Sequence, residues 1–390
     1  MREGTAQAAH FNAAGSSLPS RATVEAQRQY LEVESTIGGY EAIEREASAL
    51  RRPYQGLAKL LNCEPEEVAI LQSATSAWTQ VFYGLELSQG DRILTSQHEY
   101  SSNYNAFLQV GRRTGAAVEV IPEEGDGEIS VAGLERLIAQ GRRPALVAIT
   151  HVPTNCGRVY DAAAVGAVTQ QHGIPFLLDA CQSVGQMPVD VRAIGCDWLT
   201  GTARKFLRGP RGVGFLYASK AAMARTEPAM IDLWGATWVS PSEYRLQRSA
   251  RRYEFYEKDF SGVVALGVAV DEALELGMDW IWGRIRELAA LLRSLLADAP
   301  GCRLHDSGRT LCGIVAFSVE GMPAADVRAR LREQGICVWI SPASSTLLDF
   351  QAHGLPPETV RASVHYYNTE AEIAQLARAV AALEGQGGTA

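Results

Sequence analysis

Lys205 stands in a segment whose residue types could support amine chemistry. The stretch GTARKFLRGPRGVGFLY, residues 201–217, surrounds this lysine with Arg204, Arg208 and Arg211. Because neighbouring guanidinium groups disfavour another positive charge, they would lower the pKa of the lysine, as an amine that forms a Schiff base requires. An ordinary solvated lysine is the alternative, since most lysines lie at the protein surface.

Two other charged residues end or interrupt apolar runs. Asp179 ends the run IPFLLDA, where a buried carboxylate needs a partner. A protonated heterocyclic nitrogen or the backbone amides of the next turn could supply that partner. Arg361 lies inside the run TVRASVHYY, which suggests either a bidentate contact with a carboxylate ligand or a salt bridge with a nearby glutamate.

The segment LQSATSAWTQVFYGL, residues 71–85, offers a candidate anion site. Ser73, Ala74 and Thr75 stand where an apolar helix is expected to begin, so free backbone N–H groups there could hold a phosphate. A plain N-cap serine is the alternative interpretation.

Short strands alternating with helices are predicted to position these residues. Between Arg92 and Ser219, apolar runs are separated by helix-like segments such as 131–141 and 161–173, the second ending at a glycine typical of a helix C-cap. This alternation predicts βαβ units and a mostly parallel sheet covered on both faces. Ligands of such sheets bind beyond the carboxyl ends of the strands, where Asp179 is expected.

A second region is predicted from about Gly267, beginning with one long amphipathic segment over 270–300. The elements expected after it are a strand at 313–319, a helix at 324–335, a strand at 359–367 and a helix at 370–385. This pattern is typical of a smaller α+β domain. We therefore predict a large domain over 17–266 and a small domain formed by 1–16 and 267–390.

Composition and charge exclude several classes of function. A formal net charge of −8 over 390 residues disfavours a dedicated nucleic-acid binder. The first residues have no apolar core of signal-peptide length, and no apolar run approaches the length of a membrane span. The seven cysteines show no CxxC spacing and the histidines no HExxH, so we expect a cytoplasmic protein without metal or disulfides.

Together these motifs resemble the pyridoxal 5′-phosphate (PLP) enzymes of fold type I, in the class V aminotransferase and cysteine desulfurase superfamily. FNAAGSSLP, residues 11–19, is similar to the family's opening LDNAATTP. The family's D-x-x-Q matches Asp179 to Gln182, and its S-x-H-K with GPxGxGxLY matches Thr202 to Lys205 with GPRGVGFLY. The resemblance implies an α/β fold with a mostly parallel sheet of the seven-stranded type, PLP as cofactor, and Lys205 as its Schiff-base lysine.

The same resemblance implies roles for further residues. Asp179 would keep the pyridine nitrogen protonated, so that the ring draws electrons from the substrate Cα. Tyr100, in SQHEYSSN, would stack on the ring where desulfurases have a histidine. The other implied cofactor contacts are Ser73, Ala74, Thr75, Thr202 and Arg204 for the phosphate, and Gln182 with Thr154 or Asn155 for the ring hydroxyl.

The implied substrate is an amino acid or a cysteine S-conjugate whose α-carboxylate binds Arg361. Further candidates for the substrate pocket are Asn12, Tyr40 and Ser341; for the last two, a plain turn residue is the alternative. Thr237, in WGATW, resembles a residue that reaches the phosphate of a partner subunit, which implies a homodimer with shared active sites.

The segment VWISPASSTLLDF, residues 338–350, guides the predicted reaction. Desulfurases carry a nucleophilic cysteine on a loop before the carboxylate-binding arginine, and this segment has none. Cys337 is instead expected on a buried strand as a small hydrophobic residue. Four segments resemble the isopenicillin-epimerase-like branch, which includes C–S lyases of ergothioneine biosynthesis and enzymes of lincosamide antibiotic assembly: ESTIGGYEA, HEYSSN, RRYEFYEKDFSG and PASST with RASVHYYNT.

The sequence therefore predicts a C–S β-lyase that releases a thiol, pyruvate and ammonia from a cysteine S-conjugate. Decarboxylating oxidative deamination of an S-conjugate and transamination are the alternatives within the superfamily. A cysteine desulfurase and a non-catalytic scaffold are disfavoured, the second because lysine, aspartate and arginine are all present. Dinucleotide binding by the GxxGxG over 209–214 is also disfavoured, because the required acidic residue is missing.

Overall fold

Alternating strands and helices occupy most of residues 8–383, the part of the chain that this computed structural model describes. The strands are β1 (Ala9–His10), β2 (Val68–Leu71), β3 (Arg92–Thr95), β4 (Ala117–Val120), β5 (Leu146–Thr150), β6 (Phe176–Asp179), β7 (Trp198–Thr202), β8 (Gly214–Ala218), β9 (Ala236–Ser240), β10 (Glu243–Leu246), β11 (Cys302–Leu304), β12 (Ile314–Val319), β13 (Ile336–Cys337), β14 (Trp339–Pro342) and β15 (Glu358–Ser363).

The helices cover the faces of the sheets and form the N-terminal and C-terminal layers. They are α1 (Ala13–Ser16), α2 (Arg21–Ile37), α3 (Gly39–Arg45), α4 (Ala47–Leu61), α5 (Ala74–Phe82), α6 (Ser101–Thr114), α7 (Val131–Ala139), α8 (Ala162–His172), α9 (Val191–Ile194), α10 (Lys220–Met223), α11 (Phe260–Leu276), α12 (Met278–Ala297), α13 (Ala324–Glu333), α14 (Leu347–Ala352) and α15 (Glu370–Ala381).

A seven-stranded sheet of order β2-β8-β7-β6-β5-β3-β4 forms the centre of the fold. Only β8 runs antiparallel to its neighbours within this sheet, β2 and β7. Strands such as β5 and β6 are buried along their whole length, as expected where helices cover both faces. The predicted α/β class with a mostly parallel, seven-stranded sheet is confirmed.

Local capping fixes where the helices around the sheet begin and end. Asp161 accepts a hydrogen bond from the backbone N–H of Ala164 and so caps the start of α8. Gly173, with φ of 62°, ends the same helix in the left-handed conformation that was predicted from the sequence. This cap directs the chain into β6, whose last residue is Asp179.

The C-terminal part contains an antiparallel sheet of order β11-β12-β15-β14. Arg361 lies on β15, opposite Ala316 of β12 and Trp339 of β14. The segment 270–300, expected as one element, is broken at Gly277, whose φ of 82° ends α11 and starts α12 in a new direction. The predicted boundary at 266 and 267 lies inside α11, and the division into two domains stays a prediction.

Two segments differ from what the sequence suggested. The segment 338–350, expected as a loop, contains β14, a 3₁₀ turn over Ala343–Ser345 and most of α14. The hairpin of β9 and β10 was not foreseen, because its alternation is short and largely exposed. Within residues 8–383, no helix is long and apolar enough to cross a membrane.

Candidate functional site

Lys205 follows β7, at the turn that leads back into the sheet as β8. It is partly buried, and burial is the main reason that its pKa is lowered from the ordinary value, with Arg204 and Arg361 adding to the effect. Asp179 and the thiol of Cys181 act in the opposite direction. The lysine is thus disposed to lose its proton, and desolvation contributes more than the neighbouring arginines do.

The other two arginines of the motif do not serve this role. Arg208 donates to the backbone oxygen of Leu18 and to the Tyr366 hydroxyl, and Arg211 is exposed. The prediction that a crowd of guanidinium groups lowers the pKa of Lys205 is therefore correct only for Arg204. The second contributing arginine, Arg361, comes from the antiparallel sheet.

Asp179 ends β6 and is held by two donors. One carboxylate oxygen accepts the backbone N–H of Cys181 at 3.0 Å, and the other accepts the side-chain amide of Asn103 at 3.0 Å. Thr200, the partner of Asp179 on β7, has a buried hydroxyl without a hydrogen bond. The backbone contact anticipated from the sequence is thus present, and the carboxylate stays next to Lys205.

Asn103 and Glu99 are site residues that the sequence reasoning missed. Glu99 accepts hydrogen bonds from Asn103, from the Thr150 hydroxyl and from the backbone N–H of Tyr100. Its burial raises the pKa of its carboxyl from the ordinary 4.5 to about 7. The signal was available in HEYSSN, where a glutamate and an asparagine flank Tyr100 at the start of α6.

Thr154 and Asn155 point to different partners. The Thr154 hydroxyl accepts Gln182 Nε2 at 3.2 Å and Arg361 Nη1 at 2.9 Å. Asn155 instead donates to Asp349 at 2.6 Å. Of the two candidates left open by the sequence, Thr154 is the one grouped with Gln182.

Arg361 is 5% exposed, and its guanidinium lies beside Thr154 and Gln182. It donates to the Thr154 backbone oxygen at 2.7 Å and to Asn12 Oδ1 at 3.4 Å. Within residues 8–383 no carboxylate forms an ion pair with it, and its Nε has no hydrogen-bond partner. Burial, then Arg204, lowers the pKa of Arg361 to about 10, so it keeps its charge at neutral pH.

The candidate phosphate end lies where α5, β7 and β8 meet. Ser73 caps α5 by accepting the backbone N–H of Ser76, so the plain N-cap interpretation holds for its side chain. A Cβ on Gly214 would lie 2.3 Å from the backbone nitrogen of Ala74. Only glycine therefore allows β8 to pass so close to the start of this helix. Thr202 pairs with Gly214, and Arg204 donates to the backbone oxygen of Gly15.

The remaining candidates lie at different depths. Tyr100 is partly buried. It lies near enough to Arg204 and Arg361 to offset a small part of the lowering of their pKa values by burial. Ser341 is 2% exposed, and its hydroxyl has no partner among the described residues. Tyr40 is 71% exposed beside Tyr256, and Thr237 is exposed on β9. Thr237 thus stays a prediction that depends on a second subunit, and Tyr40, which lies in α3 rather than in a turn, stays a prediction for the substrate pocket.

The donors and acceptors present suit PLP. A lysine with a lowered pKa, an aspartate at a strand end and a helix N-terminus offer partners for an aldehyde, a pyridine nitrogen and a phosphate. Buried polar atoms without partners in residues 8–383 include Gln182 Oε1, Thr200 Oγ1 and Arg361 Nε. Such atoms need a polar partner, which a ring hydroxyl and an amino acid carboxylate would supply.

Fold and site together define a PLP-dependent enzyme of fold type I. The chain belongs to the aminotransferase class-V family, whose sequence profile matches residues 9–376. A relative from Methanothermobacter thermautotrophicus, named a probable cysteine desulfurase, is 29% identical over 90% of this chain and 87% of its own length.

Solved structures agree on the fold. The apo structure of a cysteine desulfurase from Thermococcus onnurineus NA1 covers 97% of this chain and 94% of its own, with a TM-score of 0.89 and 24% identity. The structure of a lysine variant of the protein C-DES, with glycine covalently linked to its PLP cofactor, covers 96% of this chain and 96% of its own, with a TM-score of 0.85 and 23% identity.

The predicted preference for a β-lyase over a desulfurase is wrong. Relatives that match over most of the chain, including those from Methanothermobacter thermautotrophicus, Synechocystis and Cronobacter sakazakii, are named probable cysteine desulfurase or cysteine desulfurase. The inference rested on the lack of a cysteine in 338–350. An acceptor thiol is separate from the lysine, aspartate and arginine that act on the substrate, so its absence from one segment does not decide the class.

Proposed function

We propose that this enzyme removes sulfur from L-cysteine, as its relatives named cysteine desulfurases do. The main observation behind the proposal is that Lys205, Asp179 and Arg361 lie together. Both Asp179 and Arg361 are close enough to Lys205 to affect its pKa. An amine, a carboxylate and a buried guanidinium are the groups needed to bind an α-amino acid and move its Cα proton.

Each residue has a role that follows from its surroundings. Arg361 binds the α-carboxylate through its unpartnered Nε, while Thr154 and Asn12 hold the guanidinium plane. Lys205 accepts and returns a proton at Cα and Cβ, which its lowered pKa favours. Asp179, held by Asn103, would face the pyridine nitrogen of the cofactor. The bound PLP supplies the electron-withdrawing ring.

The sulfur needs an acceptor, which we assign to an external thiol. The balanced reaction is L-cysteine plus a thiol giving L-alanine plus a persulfide: the Cβ–S bond breaks, an S–S bond forms, and the thiol proton ends on the alanine. Cys181 lies near Lys205, but burial raises the pKa of its thiol well above the ordinary value. A protonated thiol is a poor nucleophile, which argues against Cys181 as the acceptor.

Product analysis with L-cysteine tests this proposal. Holoenzyme with an added thiol should form alanine and reducible sulfur in equal amounts, and omission of the thiol should slow the reaction. Lys205→Ala should abolish both products, whereas Lys220→Arg, a change at an exposed lysine that starts α10, should leave them unchanged. Formation of pyruvate and ammonia without alanine would refute the assignment.

We also propose a homodimer in the cytoplasm. The hairpin of β9 and β10 carries Thr237 next to Trp238, which is 79% exposed, and Leu233 nearby is 76% exposed. Such an apolar surface supports a subunit contact that would bring Thr237 to a neighbouring phosphate. Membership of the isopenicillin-epimerase-like branch stays a prediction that depends on the segments resembling it, such as ESTIGGYEA and RRYEFYEKDFSG.

A further inference from the structure

A second cluster of chemically active side chains lies beside the PLP site. His98 comes from the turn after β3, Cys156 from the turn after β5, and Asp349 from α14. They are 2%, 4% and 2% exposed, and one ligand atom from each lies within 4.8 Å of the others. The function proposed above makes no use of these three residues, which we name the His98–Cys156–Asp349 group.

We propose that the His98–Cys156–Asp349 group binds one zinc ion. An imidazole nitrogen, a thiolate and a carboxylate are the three ligand types found in tetrahedral zinc sites. Zinc bond lengths of about 2.0 Å to nitrogen and 2.3 Å to sulfur place neighbouring ligand atoms about 3.5 Å apart. His98 Nε2 lies 2.9 Å from Asp349 Oδ1, so these two atoms must move apart by about 0.6 Å to hold an ion between them.

The surrounding hydrogen bonds orient these ligands as a metal site requires. His98 Nδ1 lies 3.0 Å from Glu123 and 2.6 Å from the Tyr160 hydroxyl, which leaves Nε2 facing Cys156 and Asp349. Asn155 holds the second oxygen of Asp349 at 2.6 Å. A histidine ligand backed by a carboxylate is the usual outer arrangement of zinc sites, because it fixes the ring and strengthens the ligand.

We assign the fourth ligand position to His353, which must move toward Cys156 to take it, because the ligand atoms within 4.8 Å of one another come only from His98, Cys156 and Asp349 among the described residues. His353 Nδ1 lies 2.8 Å from Asp349 Oδ1, and its side chain is 39% exposed, on the outer side of the group. Cys156 and Asp349 as anions with two neutral histidines would balance the charge of Zn²⁺. The ion would then fix α14 and the segment 338–350 against the turns after β3 and β5, next to Thr154 and Arg361.

The spacing explains why the sequence predicted no metal. His98, Cys156 and Asp349 are separated by dozens of residues, and Asp349 and His353 form only a D-x-x-x-H pair, so no motif such as CxxC or HExxH arises. The competing explanation is an ion network of His98, Glu123 and Asp349 without metal, and the experiment distinguishes the two.

The test is metal analysis of the full-length holoenzyme, purified without chelator and then exposed to Zn²⁺. We expect one zinc per chain and a higher melting temperature with added Zn²⁺. Cys156→Ser should lose the ion, while Cys196→Ser, at a buried free cysteine elsewhere, should keep it. With Co²⁺ in place of zinc, the wild type should show the visible bands of tetrahedral cobalt, and Cys156→Ser should not.

Two milder variants show whether a loss of zinc binding reflects the site itself rather than a folding defect. His353→Ala changes an exposed side chain and should weaken zinc binding at least tenfold, whereas His172→Ala, at a histidine paired with Glu135, should not. Glu123→Gln leaves every ligand in place and should weaken binding about 10- to 100-fold. Wild type that binds no zinc and gains no stability from it, or Cys156→Ser that binds it equally well, would overturn the proposal.

Discussion

The Thr154 hydroxyl is expected to control how Arg361 binds its carboxylate ligand. It accepts Arg361 Nη1 at 2.9 Å and Gln182 Nε2 at 3.2 Å, and Thr154→Val removes it at nearly constant volume. A hydrogen bond to a charged group contributes about 1.5–3 kcal/mol. Because Arg361 keeps the Thr154 backbone oxygen and Asn12, we expect about 1.5 kcal/mol, which is roughly tenfold in affinity.

The assay is binding of L-alanine to the holoenzyme, followed by the change in cofactor absorbance. Thr154→Val should raise the Kd about tenfold, and Thr154→Ser, which keeps a hydroxyl, should restore most of the affinity. Thr169→Val is the matched control, since its buried hydroxyl bonds Gly166 within α8. If Thr154→Val binds within twofold of wild type, or Thr154→Ser is as weak as Thr154→Val, the reasoning is refuted.

Three further predictions concern the carboxylate site, the cofactor cradle and acid stability. Arg361→Lys should lower kcat/KM roughly 100-fold, because an ammonium cannot reproduce the planar donor set; steady-state kinetics on L-cysteine would show it, and an unchanged value would move the carboxylate site elsewhere. Gly214→Ala should weaken PLP retention on dialysis, since its Cβ would lie 2.3 Å from backbone atoms of Ser73 and Ala74; Gly283→Ala, with open space around its Cβ, should retain the cofactor fully. Burial lowers the pKa of His151 from 6.5 to about 4, so its stabilising effect is present above pH 6.5 and is lost as pH falls toward 4. Denaturant unfolding at pH 7 and pH 4 should show the wild type losing about 3 kcal/mol more than His151→Gln, and equal losses would contradict this.

Much of the central sheet could be predicted from the sequence because its strands are buried and its helices are capped. Runs such as those of β5 and β6 are apolar up to their last residue, and Gly173 ends α8 as its position indicates. The hairpin of β9 and β10 escaped prediction because most of its residues are exposed and give no buried face to detect.

The site residues that could be predicted are those that come at or just after the end of a buried strand in the sequence. Lys205 and Asp179 both stand just beyond buried strands, and the resemblance named them. Asn103 and Glu99 were missed because Asn103 contacts Asp179 and Glu99 contacts Asn103, contacts that the segment HEYSSN does not reveal without the fold. The choice between Thr154 and Asn155 required three-dimensional contacts, which join Thr154 to Gln182 and Arg361 and join Asn155 to Asp349.

The central claim, that Lys205 carries PLP, has a direct chemical test. The chain has four lysines, and the rival with a buried amine is Lys258, whose pKa is lowered by burial while its ion pair with Glu254 acts in the opposite direction. Borohydride reduction of the holoenzyme, followed by digestion and mass spectrometry, locates the pyridoxyl group. We predict that it is found on Lys205 alone; a pyridoxyl group on Lys59, Lys220 or Lys258 would contradict the account.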